Sequence, residues 1–351
     1  MGKNIIVFSD GTAQEGGRGR NTNVYKLFNL VEDRTEKQIA FYDRGLGTGW
    51  RKISGNLFGV GISKNIKECY EFIFENYSAG DEVYLFGFSR GAATVRSLSS
   101  FIDLFGILPR SRPELIKRAY KIYKTGNDAK RKSLADEFLL RNHTMSCKIK
   151  FLGVWDTVPA LGVPFKSIDV IVDKLPWFRH KFQNYRLSDS VIHGSHALAI
   201  DDARLTFHPL LWDRKLIEGQ SMKQVWFCGM HTDVGGGYEK QELSDIPLIW
   251  MLTEAKEHGL LIYPHHKVTI NPDPDGWMHD SSKVVLGIPY RRKERSWESR
   301  TDENPTVHES VCLRKKNRNN TATPAYDPWV LKRDHEVEPW PENLRTAGHF
   351  V

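Results

Sequence analysis

The residues able to do chemistry stand at the ends of apolar runs. Gly87-Phe88-Ser89-Arg90-Gly91 follows an apolar run over 83–86 and precedes the segment 92–105, which opens with the small residues Ala92 and Ala93. This is G-x-S-x-G between a strand and a helix, the setting of a nucleophile elbow. Glycines must flank such a serine, because a Cβ there would meet neighbouring backbone. The serine Oγ then stands above the sheet, beside a helix N-terminus whose N–H groups face a developing oxyanion. The chemistry is acyl transfer, with Ser89 as nucleophile and the Arg90 amide as one oxyanion donor. Asp10-Gly11-Thr12 closes an apolar run over 5–8 and offers the Gly11 amide as the second.

A serine nucleophile needs a neutral imidazole to take its proton and a carboxylate to hold that imidazole's tautomer. The chain has 13 histidines, so position has to choose among them. His231, in Gly229-Met230-His231-Thr232-Asp233-Val234-Gly235-Gly236-Gly237-Tyr238, follows the run 224–228. The C-terminal ends of strands are where α/β sheets assemble their sites. His308 is the competing base. Asp156 closes the run 149–155 and is the expected acid, with Asp202, Asp233 and Asp201 as alternatives. His193, His196, His265 and His266 lack a metal-binding spacing with carboxylates, so neither metal nor cofactor is expected.

One rival chemistry fails on a single residue. Val7-Phe8-Ser9-Asp10-Gly11-Thr12 approaches the D-x-D-G-T loop of haloacid-dehalogenase phosphatases. Phe8 occupies the place of the nucleophilic carboxylate and cannot accept a phosphoryl group.

These residues require a frame that brings strand ends together. Buried-strand patterns over 5–8, 38–42, 83–86, 149–155 and 224–228 alternate with helical periodicity over 62–77, 92–105, 111–124 and 129–141. Such alternation predicts a mostly parallel sheet flanked by helices. The stretch 159–211 is long for a plain crossover and is expected to form a lid or cap insertion. Residues 266–351, rich in Pro, Asn and Arg, are expected to be a loop-rich segment packed on the core. The whole chain, 1–351, reads as one domain.

Composition narrows the classes further. The chain has 351 residues, 40% of them hydrophobic and 26% charged, which excludes disorder and coiled coil as overall descriptions. No apolar stretch approaches the roughly 18 residues of a membrane-spanning helix. The run at 5–8 is too short for a signal-peptide core of about 7 residues or more. The expectation is synthesis in the cytosol, with any export by a route lacking a cleaved leader. Four scattered cysteines make neither a disulfide framework nor a thiolate zinc site. The net charge of +7 concentrates in 110–141 and beyond 291, where basic patches would favour peripheral contact with anionic membranes. Nucleic-acid binding is not expected, because the basic runs 291–295 and 314–318 carry no reading motif and fit solvated loops.

The ordered set of motifs resembles the α/β-hydrolase family long labelled a domain of unknown function, which includes type VI secretion phospholipase effectors. The set comprises Asp10-Gly11-Thr12, Asn21-Thr22-Asn23-Val24, Tyr42-Asp43-Arg44-Gly45-Leu46-Gly47-Thr48, Gly87-Phe88-Ser89-Arg90-Gly91-Ala92, Gly153-Val154-Trp155-Asp156-Thr157-Val158, His196 to Asp202 with Arg204, and Gly229 to Tyr238. It spans roughly residues 4 to 315. The resemblance implies a serine lipase acting on glycerophospholipid acyl esters, with Ser89, Asp156 and His231 as its triad. It also points to a secretion or immunity protein as partner. Two other readings stand beside it: a cytosolic esterase or thioesterase on a soluble acyl substrate, and a non-catalytic interaction module on the same fold.

Overall fold

The computed structural model describes residues 2–11, 17, 20–45, 55–158, 185–213, 215–264, 268–280, 292–296, 304–319 and 325–346. Its centre is an eight-stranded sheet: β1 (Asn4–Ser9), β2 (Gln38–Asp43), β3 (Glu82–Phe88), β4 (Ile149–Trp155), β5 (Val191–Ala199), β6 (Ser221–Phe227), β7 (Thr306–His308) and β8 (Glu336–Glu338). The spatial order is β2-β1-β3-β4-β5-β6-β7-β8, and every neighbouring pair is parallel. Together with the flanking helices this is an α/β-hydrolase-like fold. All the strand C-termini therefore open on one edge, which is what a site built from strand ends requires.

The uninterrupted apolar runs follow from burial on both faces. In β1, Ile5 and Val7 join the cluster beneath α2 (Gly55–Asn76), α3 (Arg90–Phe105), α4 (Glu114–Tyr123) and α5 (Asp128–Arg141). Ile6 and Phe8 point the opposite way, towards α1 (Asn23–Leu30) and α7 (Glu242–Glu257). Between β6 and α7 lies the short helix α6 (His231–Gly235), and α8 (Glu309–Asn319) follows β7.

Two expectations from the sequence change here. Residues 191–199, assigned above to a lid, are the core strand β5, paired with both β4 and β6. The pattern Val191-Ile192-His193-Gly194-Ser195-His196 hides this strand, because polar residues interrupt the apolar run that marks its neighbours. Of the rest of that stretch, residues 159–184 lie outside the described residues. The C-terminal segment also does more than cover the core, since β7 and β8 extend the sheet and the side chains of Val307, Val311 and Val330 pack with Leu198 and Trp226.

Candidate active site

Ser89 sits between β3 and α3 with φ 58° and ψ −117°, outside the regions ordinary residues favour. Its N–H donates to the Trp155 carbonyl at 3.1 Å, tying the elbow to the end of β4. Both elbow glycines are sterically required. A Cβ at Gly87 would lie 2.6 Å from the Gly91 carbonyl oxygen, and one at Gly91 would overlap the carbonyl of Ser9. Helix α3 thus presses directly on the ends of β1 and β3, and this leaves Ser89 only 8% exposed.

Asp156 ends β4 in another unusual conformation, with φ 39°. Its N–H donates to the Ala197 carbonyl at 2.8 Å, and Ala199 N–H returns a bond of 3.1 Å to Oδ1. The carboxylate is therefore carried across the end of β5 towards α6. There the first residue of α6, His231, places Nδ1 2.6 Å from Asp156 Oδ2 and Nε2 2.8 Å from Ser89 Oγ. The Nδ1–H tautomer satisfies both bonds, leaving Nε2 to accept the serine proton. The imidazole packs against Phe88 at 4.6 Å and meets Phe207 edge-on at 5.0 Å.

The motif at 21–24 fastens the helix that carries this histidine. The Asn23 side-chain amide donates to the Val234 carbonyl at 2.9 Å and to that of Ser244 at 2.8 Å, fastening α6 and the start of α7 to α1. Thr22 caps α1 by accepting from Tyr25 N–H, and its hydroxyl donates to Asp10 Oδ2 at 2.6 Å.

Nothing in the sequence marks Arg295, which stands in a basic run that fits a solvated loop. It is only 2% exposed, and its guanidinium grips Asp156 with Nη1 on Oδ1 at 2.7 Å and Nη2 on Oδ2 at 2.9 Å. Nε donates to the Asp202 carbonyl, and the two terminal nitrogens also reach the carbonyls of Ala199 and Phe207. Arg295 is carried by a strap laid along the turn after β5, where Arg292 bridges Arg204 and Lys293 N–H donates to the Ala203 carbonyl. Arg314, also assigned to a solvated run, is buried as well, donating to the carbonyls of Pro274 and Gly276. Neither of these arginines can belong to an exposed basic patch.

The charges are set by burial and by these partners. Burial alone would push the Asp156 carboxyl up, but Arg295 and His231 overcome it and hold it well below the usual carboxylate range. Burial pulls His231 below its ordinary value while Asp156 opposes the shift, so the imidazole rests neutral near pH 7.

The other candidates lie elsewhere or make other bonds. Asp202 accepts from the His231 backbone N–H at 3.2 Å, and the Arg204 side chain holds its two oxygens. Asp233 pairs with His279 Nδ1 at 2.6 Å. Asp201 accepts from Gly229 N–H and the Tyr326 hydroxyl. His308 is packed between Phe227 and Trp340 with Nδ1 on the Ser310 hydroxyl, and burial pushes it down to about 3. It is a core histidine on β7, not a member of this cluster.

Arg90 opens α3, where helix amides point out along the axis. Gly11 N–H donates to Asp10 Oδ1 at 2.7 Å, a bond inside its own turn. Asp10 also accepts from Tyr42, and burial raises its carboxyl to about 6 against the pull of those hydrogen bonds. Among the described residues no group of three His, Cys, Asp or Glu side chains is arranged to hold a metal. No helix among them is long and apolar enough to cross a membrane.

The profile of the type VI secretion phospholipase effector Tle1-like catalytic domain matches residues 3–254. The chain belongs to that family. The Tle1-like region thus takes in Ser89, Asp156 and His231 and stops short of Arg295. An uncharacterized protein of Saccharomyces cerevisiae, YEL023C, is 30% identical over 262 residues, which cover 66% of this chain and 36% of the yeast protein. A crystal structure of an uncharacterized protein from Pseudomonas aeruginosa matches 74% of this chain and 46% of its own length, with a TM-score of 0.47 and 16% identity. A Tle1 effector, solved bound to the VgrG spike of a type 6 secretion system, matches 68% of this chain and 52% of its own, with a TM-score of 0.39 and 20% identity. The chain spans about a third of the yeast relative and about half of each structural neighbour.

Proposed function

We propose that the protein is a serine hydrolase that cleaves acyl esters of phospholipids through a Ser89–His231–Asp156 triad. Ser89 Oγ attacks the ester carbonyl while its proton passes to His231 Nε2, forming a tetrahedral oxyanion. The imidazolium then gives that proton to the departing alcohol oxygen, leaving an acyl group on Ser89. Water repeats the sequence from the other side: its oxygen bonds to the acyl carbon as His231 takes its proton, and the acyl–serine bond then breaks as the imidazolium returns that proton to Ser89 Oγ, releasing the fatty acid. Asp156 keeps His231 in the Nδ1–H tautomer and stabilises the transient imidazolium.

The observation that carries this reading is the unbroken hydrogen-bonded path from Ser89 Oγ through His231 to Asp156. Membership of a phospholipase effector family supports the lipid ester as substrate. The Arg90 amide is the first oxyanion donor in the proposal. Gly11 is the second, and it would have to release or share the bond its N–H now makes to Asp10.

Wild type and Ser89→Ala are incubated with phospholipid vesicles, and fatty acid and lysolipid are measured. The expected result is release by wild type alone, together with labelling of Ser89 by a fluorophosphonate. Equal release by both proteins would sink the proposal. Labelling with turnover of soluble esters only would move the substrate to a soluble acyl compound.

A further inference from the structure

We propose that Arg295 is a positioning residue of this site: its guanidinium locks the Asp156 carboxylate and offsets its charge, so that His231 waits as a neutral base. The inference rests on the triad reading above and adds a fourth residue to it.

The geometry comes first. Asp156 Oδ2 accepts from Arg295 Nη2 and His231 Nδ1, while Oδ1 accepts from Arg295 Nη1 and Ala199 N–H. Four donors leave the carboxylate no freedom to rotate, and the paired bonds from a planar guanidinium are ones a lysine cannot reproduce. The guanidinium is itself fixed by three backbone carbonyls, so it cannot follow Asp156 elsewhere.

Charge is the second half of the argument. An uncompensated carboxylate buried against an imidazole favours the imidazolium strongly, and an imidazolium cannot accept the serine proton. Arg295 sets its positive charge directly against that carboxylate and holds it ionised in the resting enzyme. Of the other charged groups near the pair, Asp202 pushes His231 up and Arg204 pushes it down, so these two oppose each other, and neither touches the Asp156 carboxylate. Asp202, at the end of β5, faces the His231 backbone and is already paired with Arg204. His196, on β5, is buried and neutral, pushed down to about 3 by burial and then by Arg96 of α3. Asp233, within α6, pairs with His279.

The test follows the His231 ring by NMR in histidine-labelled wild type, Arg295→Lys and Arg295→Met, with kcat/KM against pH in parallel. In wild type His231 should titrate below its ordinary value of about 6.5. In Arg295→Met the midpoint should rise by about one unit or more, and the acid limb of kcat/KM should move with it. Arg295→Lys keeps the charge and loses the fork: the midpoint should stay nearer wild type while kcat falls about tenfold.

A merely structural role would lower the stability of both variants and leave the midpoint in place. That result would overturn the proposal, and so would a wild-type His231 titrating at or above about 6.5, which is decisive even if Arg295→Met does not fold. The NMR readout needs no turnover. An inactive wild type with a low midpoint would count against the hydrolase and leave the Arg295 pairing standing.

Discussion

Ser89 and Asp156 are the two non-glycine residues with positive φ among those described, at 58° and 39°, and the N–H of the first donates to the carbonyl just before the second. Backbone strain is thus concentrated at two neighbouring strand ends, where it aims an Oγ and a carboxylate at one imidazole. Such conformations cost on the order of 1–3 kcal/mol each. Glycine adopts them without penalty. Ser89→Gly should therefore unfold at higher denaturant than Ser89→Ala, by roughly 1 kcal/mol, although both lose the nucleophile. Equal midpoints, or the reverse order, would mean that the elbow is not strained.

The assignment of the acid separates cleanly by mutation. Asp156→Asn presents an amide that cannot hold the Nδ1–H tautomer, and kcat should fall by about 10⁴. It also leaves Arg295 buried without a counter-charge, at a further stability cost of roughly 3–5 kcal/mol. Asp202→Asn alters a carboxylate that meets only the His231 backbone and Arg204, so it should retain kcat within about tenfold. Steady-state kinetics on a soluble chromogenic ester, with urea unfolding of each variant, would distinguish the two.

The legible part of this chain was the part written in local pattern. Both-face burial gives β1 and β3 and the C-terminal halves of β4 and β6 apolar runs, and each run ends where the chain must turn over the sheet edge, so position nominates Ser89, Asp156 and His231. Strand β5 was missed because His193, Ser195 and His196 break its pattern. Strands β7 and β8 have three residues each and are made by pairing rather than propensity. Arg295 was invisible for another reason. It lies 139 residues from Asp156 in the chain, inside a run of cations that reads as a solvated loop, and only tertiary structure turns one of them inwards.

Gly91 offers a test of how closely the elbow is built against β1. A Cβ there would overlap the Ser9 carbonyl and lie 2.7 Å from that of Asp10. Both obstacles are backbone, so neither can swing aside as a side chain would. Gly91→Ala should cost about 1–3 kcal/mol and depress activity beyond that loss, because the Asp10–Gly11 turn moves with the end of β1. Thermal unfolding with near-wild-type stability would show that the two turns are less tightly joined than this packing requires.

His308 provides a pH-dependent prediction that also separates it from catalysis. Its folded value is pushed down to about 3, first by burial and then by Arg345, against about 6.5 in an unfolded chain. Between these values the unfolded state carries a proton that the folded state refuses, so stability is lost as pH falls from about 6.5 towards about 3. The loss from this one group is on the order of 1 kcal/mol per pH unit. His308→Phe removes it while keeping an aromatic ring between Phe227 and Trp340. Urea unfolding at pH 7.5, 6 and 5 (about these values) should therefore find the variant gaining on wild type as the medium acidifies, with its neutral-pH esterase activity retained. A difference that stays constant with pH would mean that His308 binds its proton equally in the folded and unfolded states, and a variant without activity would return it to the candidates for the base.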